Sequence, residues 1–358
     1  MSDKIKTGSF GVLRDGRKAT LFTLQNDNGV TVILTDYGAT AVSIIVPGKD
    51  GDCRDIILGF DDVSGYEKTG LYLGATIGRY AGQINDGKFS LGDKTYSLFI
   101  NDHGNSLHGG EVGFNKRLFT GQVLESENAV LLTYLSPDGE EGYPGNLNVR
   151  VTYSLTPDNE LVIRHVAESD ADTVLNMTHH SYFNLDGHTS DSILDHSLRI
   201  NSQKYTEVAK DCSPNGVISD VAGTPLDFRS FYTIGDRIGA DFEQLRICEG
   251  YDHNWVIDGW DEGLVSICEL TSKSSGIGMQ VLSDLPGLQV YSGNYLSGSE
   301  VGKEGVRYGH RSALCLEPQY YPNSLNHAAF PSPVLLKGAL YDHTIIYKVF
   351  PDADDIGR

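Results

Sequence analysis

The sequence predicts a mainly β fold, an antiparallel sandwich or barrel, and three observations support this prediction. Residues 147–155 alternate apolar and polar side chains without a break, which is typical of a strand with one buried and one solvated face. Other short apolar segments recur along the chain, separated by turns rich in Gly, Asp and Pro. No segment has the apolar spacing of an amphipathic helix of three or more turns. Many short strands joined by such turns are typical of antiparallel sandwiches and barrels.

The clearest predicted element is a hairpin in the middle of the chain. Residues 147–155 and 160–167 are its strands, and the sequence Thr-Pro-Asp-Asn between them places Pro and Asx residues where a turn needs them. Further strands are predicted, in chain order, at residues 30–34, 41–46, 129–135, 265–270, 278–282, 288–291, 313–316 and 341–349.

Length and charge limit the classes of partner. The chain has 358 residues, with 28 Lys and Arg against 48 Asp and Glu, so its formal net charge is −20. Nucleic acid and anionic membrane surfaces would repel such a chain, whereas a neutral ligand would not. Since the composition changes nowhere along the sequence, we expect a single domain over residues 1–358.

The sequence carries no membrane or export signal that we recognise. No apolar run approaches the roughly 18 residues of a membrane-spanning helix. The N-terminus lacks the apolar core and small-residue cleavage site of a secretory signal. We therefore expect a cytoplasmic protein.

The five cysteines are odd in number and widely scattered, at Cys53, Cys212, Cys248, Cys268 and Cys315. No Cys-x-x-Cys motif or Cys/His cluster is present, so the spacing predicts neither a disulfide framework nor a zinc site. We expect free thiols in a reducing compartment.

Polar residues capable of chemistry are concentrated in five segments, at residues 78–84, 101–110, 176–185, 250–255 and 315–323. Together they contain imidazoles, carboxylates, amides and several aromatic rings. This inventory suits a polyhydroxylated neutral ligand, because amides and charged groups bind hydroxyls and aromatic rings stack on C–H faces. No Gly-rich phosphate loop and no Gly-x-Ser-x-Gly motif is present, which disfavours nucleotide and serine-hydrolase chemistry.

Individual residues in these segments carry different weight. His179 and His180 are adjacent on a predicted strand, so they point to opposite faces and do not readily bind one metal. A single His is most often a hydrogen-bonded core or surface residue, and Asp252 can equally cap its turn. Glu317 is more informative, because it follows a core strand where an unpaired carboxylate is costly. A Glu and a His can divide base and acid roles near neutral pH.

At these residues the sequence resembles the aldose 1-epimerase family, also called galactose mutarotases. The likeness spans nearly the whole chain and rests on an ordered set of motifs: Tyr37-Gly38-Ala39, Gly78-Arg79, residues 105–110 and 180–185, Asp252-His253-Asn254, residues 289–294, Leu316-Glu317 and Tyr341-Asp342-His343. The resemblance implies a large antiparallel β-sandwich with few short helices and an open sugar site on its concave face. It also implies an isomerase for free hexoses such as galactose and glucose, a monomer or homodimer that needs no metal or organic cofactor.

The resemblance assigns roles to residues position by position. Glu317 matches the base that removes the proton from the C1 hydroxyl of the sugar. His180 matches the acid that protonates the ring oxygen, so that the ring opens, rotates about C1–C2 and recloses as the other anomer. His108, Asp252 and Gln289 match residues that contact sugar hydroxyls.

One departure from the family pattern concerns substrate binding. Many members have Asn-Arg-Ile where this chain has Gly82-Gln83-Ile84, so Gln83 supplies a neutral amide in place of a guanidinium. Losing a charged hydrogen bond weakens binding by about 1.5–3 kcal/mol unless another residue replaces it. Arg79 is either that replacement substrate contact or a structural residue.

Three other functions stay open at this stage. The first is a related epimerase for another aldose or a hexose phosphate, although a phosphate would call for clustered Arg or Lys. The second is a glycoside hydrolase or lyase, for which Asp252 and Glu317 are the carboxylate pair to test. The third is a non-catalytic sugar-binding module, which would not require both Glu317 and His180.

Overall fold

The computed structural model describes residues 5–356, which form 28 strands and three short helices. The strands are β1 Ile5–Val12, β2 Lys18–Gln25, β3 Thr31–Thr35, β4 Thr40–Pro47, β5 Cys53–Asp55, β6 Ala75–Ile77, β7 Gln83–Ile84, β8 Lys88–Leu91, β9 Lys94–Ser97, β10 Ser106–Leu107, β11 Thr120–Leu124, β12 Ala129–Ser136, β13 Leu147–Leu155, β14 Glu160–Ser169, β15 Thr173–Val174, β16 Thr178–His180, β17 Tyr182–Phe183, β18 Ser197–Ile200, β19 Lys204–Val208, β20 Pro214–Asp220, β21 Tyr232–Thr233, β22 Asp252–Val256, β23 Val265–Thr271, β24 Gly278–Ser283, β25 Gly287–Tyr291, β26 Leu314–Gln319, β27 Val334–Leu335 and β28 Leu340–Phe350. The helices are α1 Val63–Lys68, α2 Ile234–Arg237 and α3 Glu243–Ile247. Single 3₁₀ turns lie at Asn85–Gly87, Phe114–Lys116, Glu125–Glu127, Glu140–Gly142, Lys303–Gly305, Ser324–Asn326 and Ala353–Asp355.

Three antiparallel sheets contain most of the strands. The largest has nine strands in the order β11-β12-β13-β14-β28-β24-β23-β18-β21. A six-stranded sheet has the order β17-β26-β25-β22-β19-β20, and a five-stranded sheet runs from β1 to β5 in chain order. The longest helix of residues 5–356, α1, has six residues. The prediction of an all-β fold built from large antiparallel sheets with few short helices is confirmed.

The predicted central hairpin is formed by β13 and β14. Their register runs from Leu147 opposite Ser169 to Leu155 opposite Leu161. Every second residue of β13, from Leu147 to Leu155, is buried, as the alternation predicted. The turn closes with a 3.0 Å hydrogen bond from the Thr156 N–H to the Glu160 carbonyl. A left-handed residue, Asn159 (φ 63°), lies within this turn.

The main hydrophobic core lies between the sheets and draws residues from both ends of the chain. It includes Ile5 from β1 and Val349 from β28, together with Val151 of the nine-stranded sheet and Leu316 of the six-stranded sheet. This continuity supports the single-domain organisation that we propose for the chain. Because strand side chains alternate between faces, the residues beside Leu316 point away from this core.

The expectation of five free thiols is wrong for two of them. Cys212 and Cys248 form a disulfide with their Cα atoms 5.8 Å apart, whereas Cys53, Cys268 and Cys315 are free. The two partners are 36 residues apart in sequence. They meet because α3 packs on β19, where the side chain of Gln244 is hydrogen-bonded to the backbone of Val208. Sequence spacing alone carries no information about such a pairing.

Among residues 5–356, no helix has the length and apolarity that crossing a membrane would take.

Candidate active site

A cavity of about 190 Å³ opens on the face of the six-stranded sheet that points away from the main core. It is lined by Gly70, Leu71, Tyr72, Gly82, Gln83, Asp102, His103, Leu107, His108, His180, Tyr182, Asp211, Cys212, Asp252, Gln289, Tyr291, Tyr295, Glu317, Gln319 and Pro322. The structure therefore brings together six of the predicted site residues, namely Glu317, His180, His108, Asp252, Gln289 and Gln83.

Neighbouring strands of the six-stranded sheet position the carboxylates and one amide. Glu317 on β26 lies opposite Gln289 on β25, and Asp252 on β22 lies opposite Tyr291 of the same β25 strand. Since residues two apart on a strand share a face, Gln289 and Tyr291 point to the same side. All four side chains consequently face the cavity.

His180 enters the cavity from a different element, the end of β16. The preceding residue, His179, points the other way, where its Nε2 lies 2.8 Å from Ser181 Oγ and its Nδ1 3.3 Å from Tyr153 Oη. The prediction that adjacent histidines face opposite sides is confirmed. Of these two adjacent histidines, only His180 lines the cavity and is available to a ligand there.

Two tyrosine rings stack on the imidazole of His180. The Tyr182 ring stacks on it with centroids 5.0 Å apart, and Tyr72 stacks on it at 5.9 Å. Sequence reasoning named neither residue as a site residue. Tyr182 had a usable signal, because it lies two residues after His180 on an extended segment. Tyr72 had none, since its left-handed backbone (φ 59°) follows from the packing of its loop.

Gln83 lies on β7, and His108 directly follows β10, the strand that pairs with β7. Gln83 lies opposite Leu107, and Nδ1 of His108 accepts a 3.2 Å hydrogen bond from the Gly82 N–H. Burial lowers the pKa of His108 well below its usual value, so the ring is neutral. With Nδ1 acting as an acceptor, the proton lies on Nε2, which makes His108 a hydrogen-bond donor.

The central pair of the cavity is His180 and Glu317. Nε2 of His180 lies 3.6 Å from Oε2 of Glu317, and the residues are 4% and 2% exposed. Burial lowers the pKa of His180 to about 4. Burial, assisted by the charge of Asp252, raises the pKa of Glu317 well above its usual value. Both shifts favour the uncharged forms, a neutral imidazole and a protonated carboxyl, so the pair holds one proton and has no net charge.

Asp252 is the second carboxyl group of the cavity. Its Oδ1 accepts a 2.7 Å hydrogen bond from Nε2 of Gln289. Burial raises the pKa of Asp252 to about 7, with a smaller contribution from the charge of Asp102 and an opposing one from the Gln289 hydrogen bond. The Asp252 side chain therefore changes charge near neutral pH.

Arg79 is the one predicted contact residue that the structure does not bring into the cavity. Its guanidinium is buried and donates to the Ser136 side chain and to the carbonyls of Ser136, Pro137 and Pro144, at 2.8–3.0 Å. These bonds occupy its donors and tie the end of β12 to the following loop. Of the two roles left open for Arg79, its placement favours the structural one, and the expectation of a substrate contact is corrected accordingly.

One group of side chains near the cavity has the donor types of a metal site. His180, Cys315 and Glu317 offer ligand atoms within 4.8 Å of one another. Burial raises the pKa of the Cys315 thiol well above its usual value, so without a metal the thiol keeps its proton. The absence of a metal requirement stays a prediction.

Asp102, Gln319 and Asp211 are among the other lining residues that were not predicted as contacts. Asp102 and Gln319 lie in segments already recognised as polar, whereas Asp211 comes from a segment without a signal. Asn105 Nδ2 donates a 2.9 Å hydrogen bond to Asp211, which joins the two loops. Of the lining residues that the structure describes, none is Lys or Arg. The cavity is therefore rich in carboxyl groups and amides.

Comparison with known proteins agrees with this geometry. The sequence profile of the family described as Aldose 1-epimerase matches residues 20–348. Galactose mutarotase from Mus musculus is 40% identical over 328 residues, which cover 91% of this chain and 93% of that protein. Aldose 1-epimerase from Escherichia coli is 37% identical over 319 residues, or 89% and 91% of the two chains.

A solved structure is similar over almost the full length. The crystal structure of galactose 1-epimerase from Lactobacillus acidophilus superposes with a TM-score of 0.86 at 29% identity, covering 98% of this chain and 99% of the other. The motif order, the fold and the extent of these matches lead to one conclusion. The chain belongs to the aldose 1-epimerase family.

Proposed function

We propose that the protein interconverts the α and β anomers of free hexoses, among them galactose and glucose, by opening and reclosing the sugar ring. The observation that carries this proposal is the 3.6 Å approach of His180 Nε2 to Glu317 Oε2 inside a cavity rich in hydrogen-bonding groups. Relatives named galactose mutarotase and aldose 1-epimerase support the same reaction. Anomer exchange needs an acid and a base at one acetal carbon, and this pair supplies both.

In the proposed reaction the proton that burial favours on Glu317 passes to His180 as the sugar binds, so that His180 is protonated and Glu317 is ionised. Glu317 accepts the proton of the C1 hydroxyl while His180 donates its proton to the ring oxygen. The C1–ring oxygen bond breaks, and the electrons of the former O–H bond form the aldehyde C=O. After rotation about C1–C2, the new hydroxyl attacks the other face of C1, its proton returns to His180, and Glu317 returns a proton to the C1 oxygen.

The electrostatics of the cavity suit this cycle. The His180–Glu317 pair holds one proton before and after ring opening, so its net charge stays at zero throughout. Burial opposes any state in which only one of the two groups is charged. The two groups therefore exchange acid and base roles without taking up a proton from solvent.

We assign sugar binding to the remaining predicted residues of the cavity. Nε2–H of His108 is a donor, and the Asp252 carboxyl is an acceptor oriented by Gln289. Gln83 supplies a neutral amide at the mouth. Together these groups bind hydroxyls of a neutral sugar through donors and acceptors that are fixed by backbone or side-chain hydrogen bonds.

The decisive experiment follows freshly dissolved α-D-galactose and α-D-glucose by polarimetry or anomeric proton NMR. We expect purified protein to accelerate equilibration of both sugars far beyond the buffer rate. If both sugars and common pentoses equilibrate at the buffer rate, the proposal fails. A non-catalytic sugar-binding module would give that result together with measurable sugar binding.

The alternative of a sugar-phosphate substrate is disfavoured by the charge of the cavity. Asp102, Asp211 and Asp252 line it without a Lys or Arg among the described lining residues, and phosphate recognition relies on such cations. The same assay with glucose 6-phosphate tests this point. We expect a much lower kcat/KM than for glucose, and a higher value would favour the alternative.

The assembly and location of the protein stay predictions. We propose a monomer or homodimer that acts in the cytoplasm on a small sugar, without nucleic acid or membrane partners. The Cys212–Cys248 disulfide is the observation against a reducing compartment, since such bonds persist mainly in oxidising ones. Light scattering on the purified protein would give the mass, and thiol labelling in cell extracts would give the redox state of this pair.

A further inference from the structure

Buried amide groups without hydrogen-bond partners surround the proposed base. Both amide atoms of Asn254, both of Gln319 and Oε1 of Gln289 are buried and make no hydrogen bond within residues 5–356. Oε2 of Glu317 shares this property. Buried polar groups are normally paired, so a concentration of unpaired ones at one place indicates a ligand or ordered water.

The register of the sheet explains why these groups cluster. Glu317 and Gln319 lie two apart on β26 and share its cavity face. Gln289 lies opposite Glu317, and Gly287 lies opposite Gln319. On the next strand, Asn254 lies opposite Gln289. The three amides therefore form one group around Glu317, which we call the amide recess (Asn254, Gln289 and Gln319).

Gly287 makes room within the amide recess. A Cβ atom at this position would lie 2.3 Å from Oδ1 of Asn254 and 2.8 Å from the ring of Tyr321. The glycine thus lets the Asn254 amide approach the sheet beside Gln319. Of these two residues only Gln319 lines the cavity.

The chemistry of Gln319 matches a hydroxyl group. Its amide offers two N–H donors and a carbonyl acceptor, and a hydroxyl can accept from the former and donate to the latter. Gln319 is 0% exposed, so bulk water does not compensate its amide. A bound sugar supplies hydroxyl groups that can both donate and accept hydrogen bonds. The Gln319 amide would therefore gain its partners only in the complex.

We propose that Gln319 binds the C2 hydroxyl of the aldose and makes the enzyme selective for sugars that carry one. The inference rests on the proposed function, in which Glu317 contacts the C1 hydroxyl. The C2 hydroxyl is the neighbouring group of the sugar, and Gln319 is the next residue of the same strand face. Gln289 already uses its Nε2 on Asp252, and Asn254 does not line the cavity, which leaves Gln319 as the recess amide that lines the cavity with both functions free to bind a hydroxyl.

The test compares Gln319→Met with the wild-type protein on galactose and on 2-deoxygalactose. Met keeps the length of the side chain and removes its hydrogen-bonding groups. We expect kcat/KM for galactose to fall about tenfold, the upper range for one neutral hydrogen bond, mainly through KM. For 2-deoxygalactose we expect kcat/KM to be the same in both proteins, because the partner hydroxyl is absent. An equal loss on both sugars, or no loss on galactose, would overturn the inference.

A structural control separates binding from folding. Gln244 is also buried, but its amide is paired with the N–H and C=O of Val208 at 2.7 and 3.1 Å. We expect Gln244→Met to lower Tm and Gln319→Met to leave it unchanged or higher, since replacing an unpaired buried amide removes its desolvation cost. A fall in Tm for Gln319→Met as large as that for Gln244→Met contradicts the inference.

Failure of the proposed function gives a different result. If the wild-type protein equilibrates no aldose, the proposed function itself is wrong. If it equilibrates galactose and the Gln319→Met effect is the same with and without the C2 hydroxyl, only the role of Gln319 is wrong.

Discussion

Nε2 of His180 lies 3.6 Å from Oε2 of Glu317, although the two residues belong to different sheets. His180 ends β16, which pairs with β6, whereas Glu317 lies within the six-stranded sheet. Both side chains leave their strands toward one cavity. This convergence places an acid and a base where a single acetal carbon can meet both.

Removing either member of the pair should abolish most of the activity. We expect Glu317→Gln and His180→Asn each to lower kcat by about 10²–10⁴-fold, the usual contribution of a positioned acid or base. Polarimetry on α-D-galactose measures the effect. Glu269→Gln is the matched control, because Glu269 is buried but pairs with Arg199 outside the cavity. A fully active Glu317→Gln variant would show that another group removes the proton of the C1 hydroxyl.

Asp252 should make the stability of the fold depend on pH. Burial raises the pKa of Asp252 to about 7, whereas in the unfolded chain it is about 3.9. Between these values the folded state holds the proton and the unfolded state has lost it. The contribution of Asp252 to the free energy of unfolding is therefore full below about pH 4 and decreases as pH rises toward 7.

Urea denaturation of wild type and Asp252→Asn at pH 5 and pH 8 measures this effect. We expect the variant to lose less stability than wild type between the two values, and to have a raised KM for galactose at both. The same pH dependence in both proteins would mean that Asp252 titrates normally.

Gln83→Arg restores the residue type that many family members have at this position. A charged hydrogen bond is worth about 1.5–3 kcal/mol, and a guanidinium has a fixed direction, so it discriminates between hydroxyl configurations. We expect the ratio of kcat/KM for galactose to that for glucose to change. Gln122→Arg on the exposed strand β11 adds the same charge away from the cavity. An unchanged ratio in Gln83→Arg would show that Gln in place of Arg at this position does not affect substrate preference.

Arg79 should matter for stability and not for sugar binding. Burial lowers its pKa to about 10, and Arg79→Met leaves the carbonyls of Ser136, Pro137 and Pro144 without this donor. We expect a loss of about 3 kcal/mol or more, at about 1–3 kcal/mol for each unpaired group, with KM unchanged at low temperature. Arg164→Met, which breaks an exposed ion pair with Asp342, should cost less than about 1 kcal/mol. A rise in KM for Arg79→Met without a loss of stability would show that Arg79 contacts the sugar.

The disulfide should stabilise the fold and shape the cavity wall. Closing a loop between cysteines that are 36 positions apart in sequence contributes about 3–4 kcal/mol in the chain-entropy description. We expect Cys212→Ser to lower stability by about this amount and to raise KM, since Cys212 lines the cavity. Cys53→Ser, at an exposed free thiol, should change neither quantity. Equal stability of Cys212→Ser and wild type under non-reducing conditions would show that the bond does not form.

The sequence by itself determined the fold class and pointed to six of the residues that line the cavity. The alternation in residues 147–155 reappears as the buried and exposed faces of β13. The same periodicity separated His179 from His180, because the direction of a strand side chain depends only on its position. Ordered motifs likewise identified six residues that converge on the cavity.

Only the tertiary structure decided how distant segments meet. Arg79 is bound by carbonyls 57–65 residues away in sequence, and Cys212 reaches Cys248 because α3 packs on β19. Gln319 was visible in the sequence as one polar residue among many, and its unpaired amide emerged only from the packing around it. Local periodicity fixes which way a side chain points, whereas its partners depend on loop paths and sheet packing, which a single sequence does not encode in any local pattern.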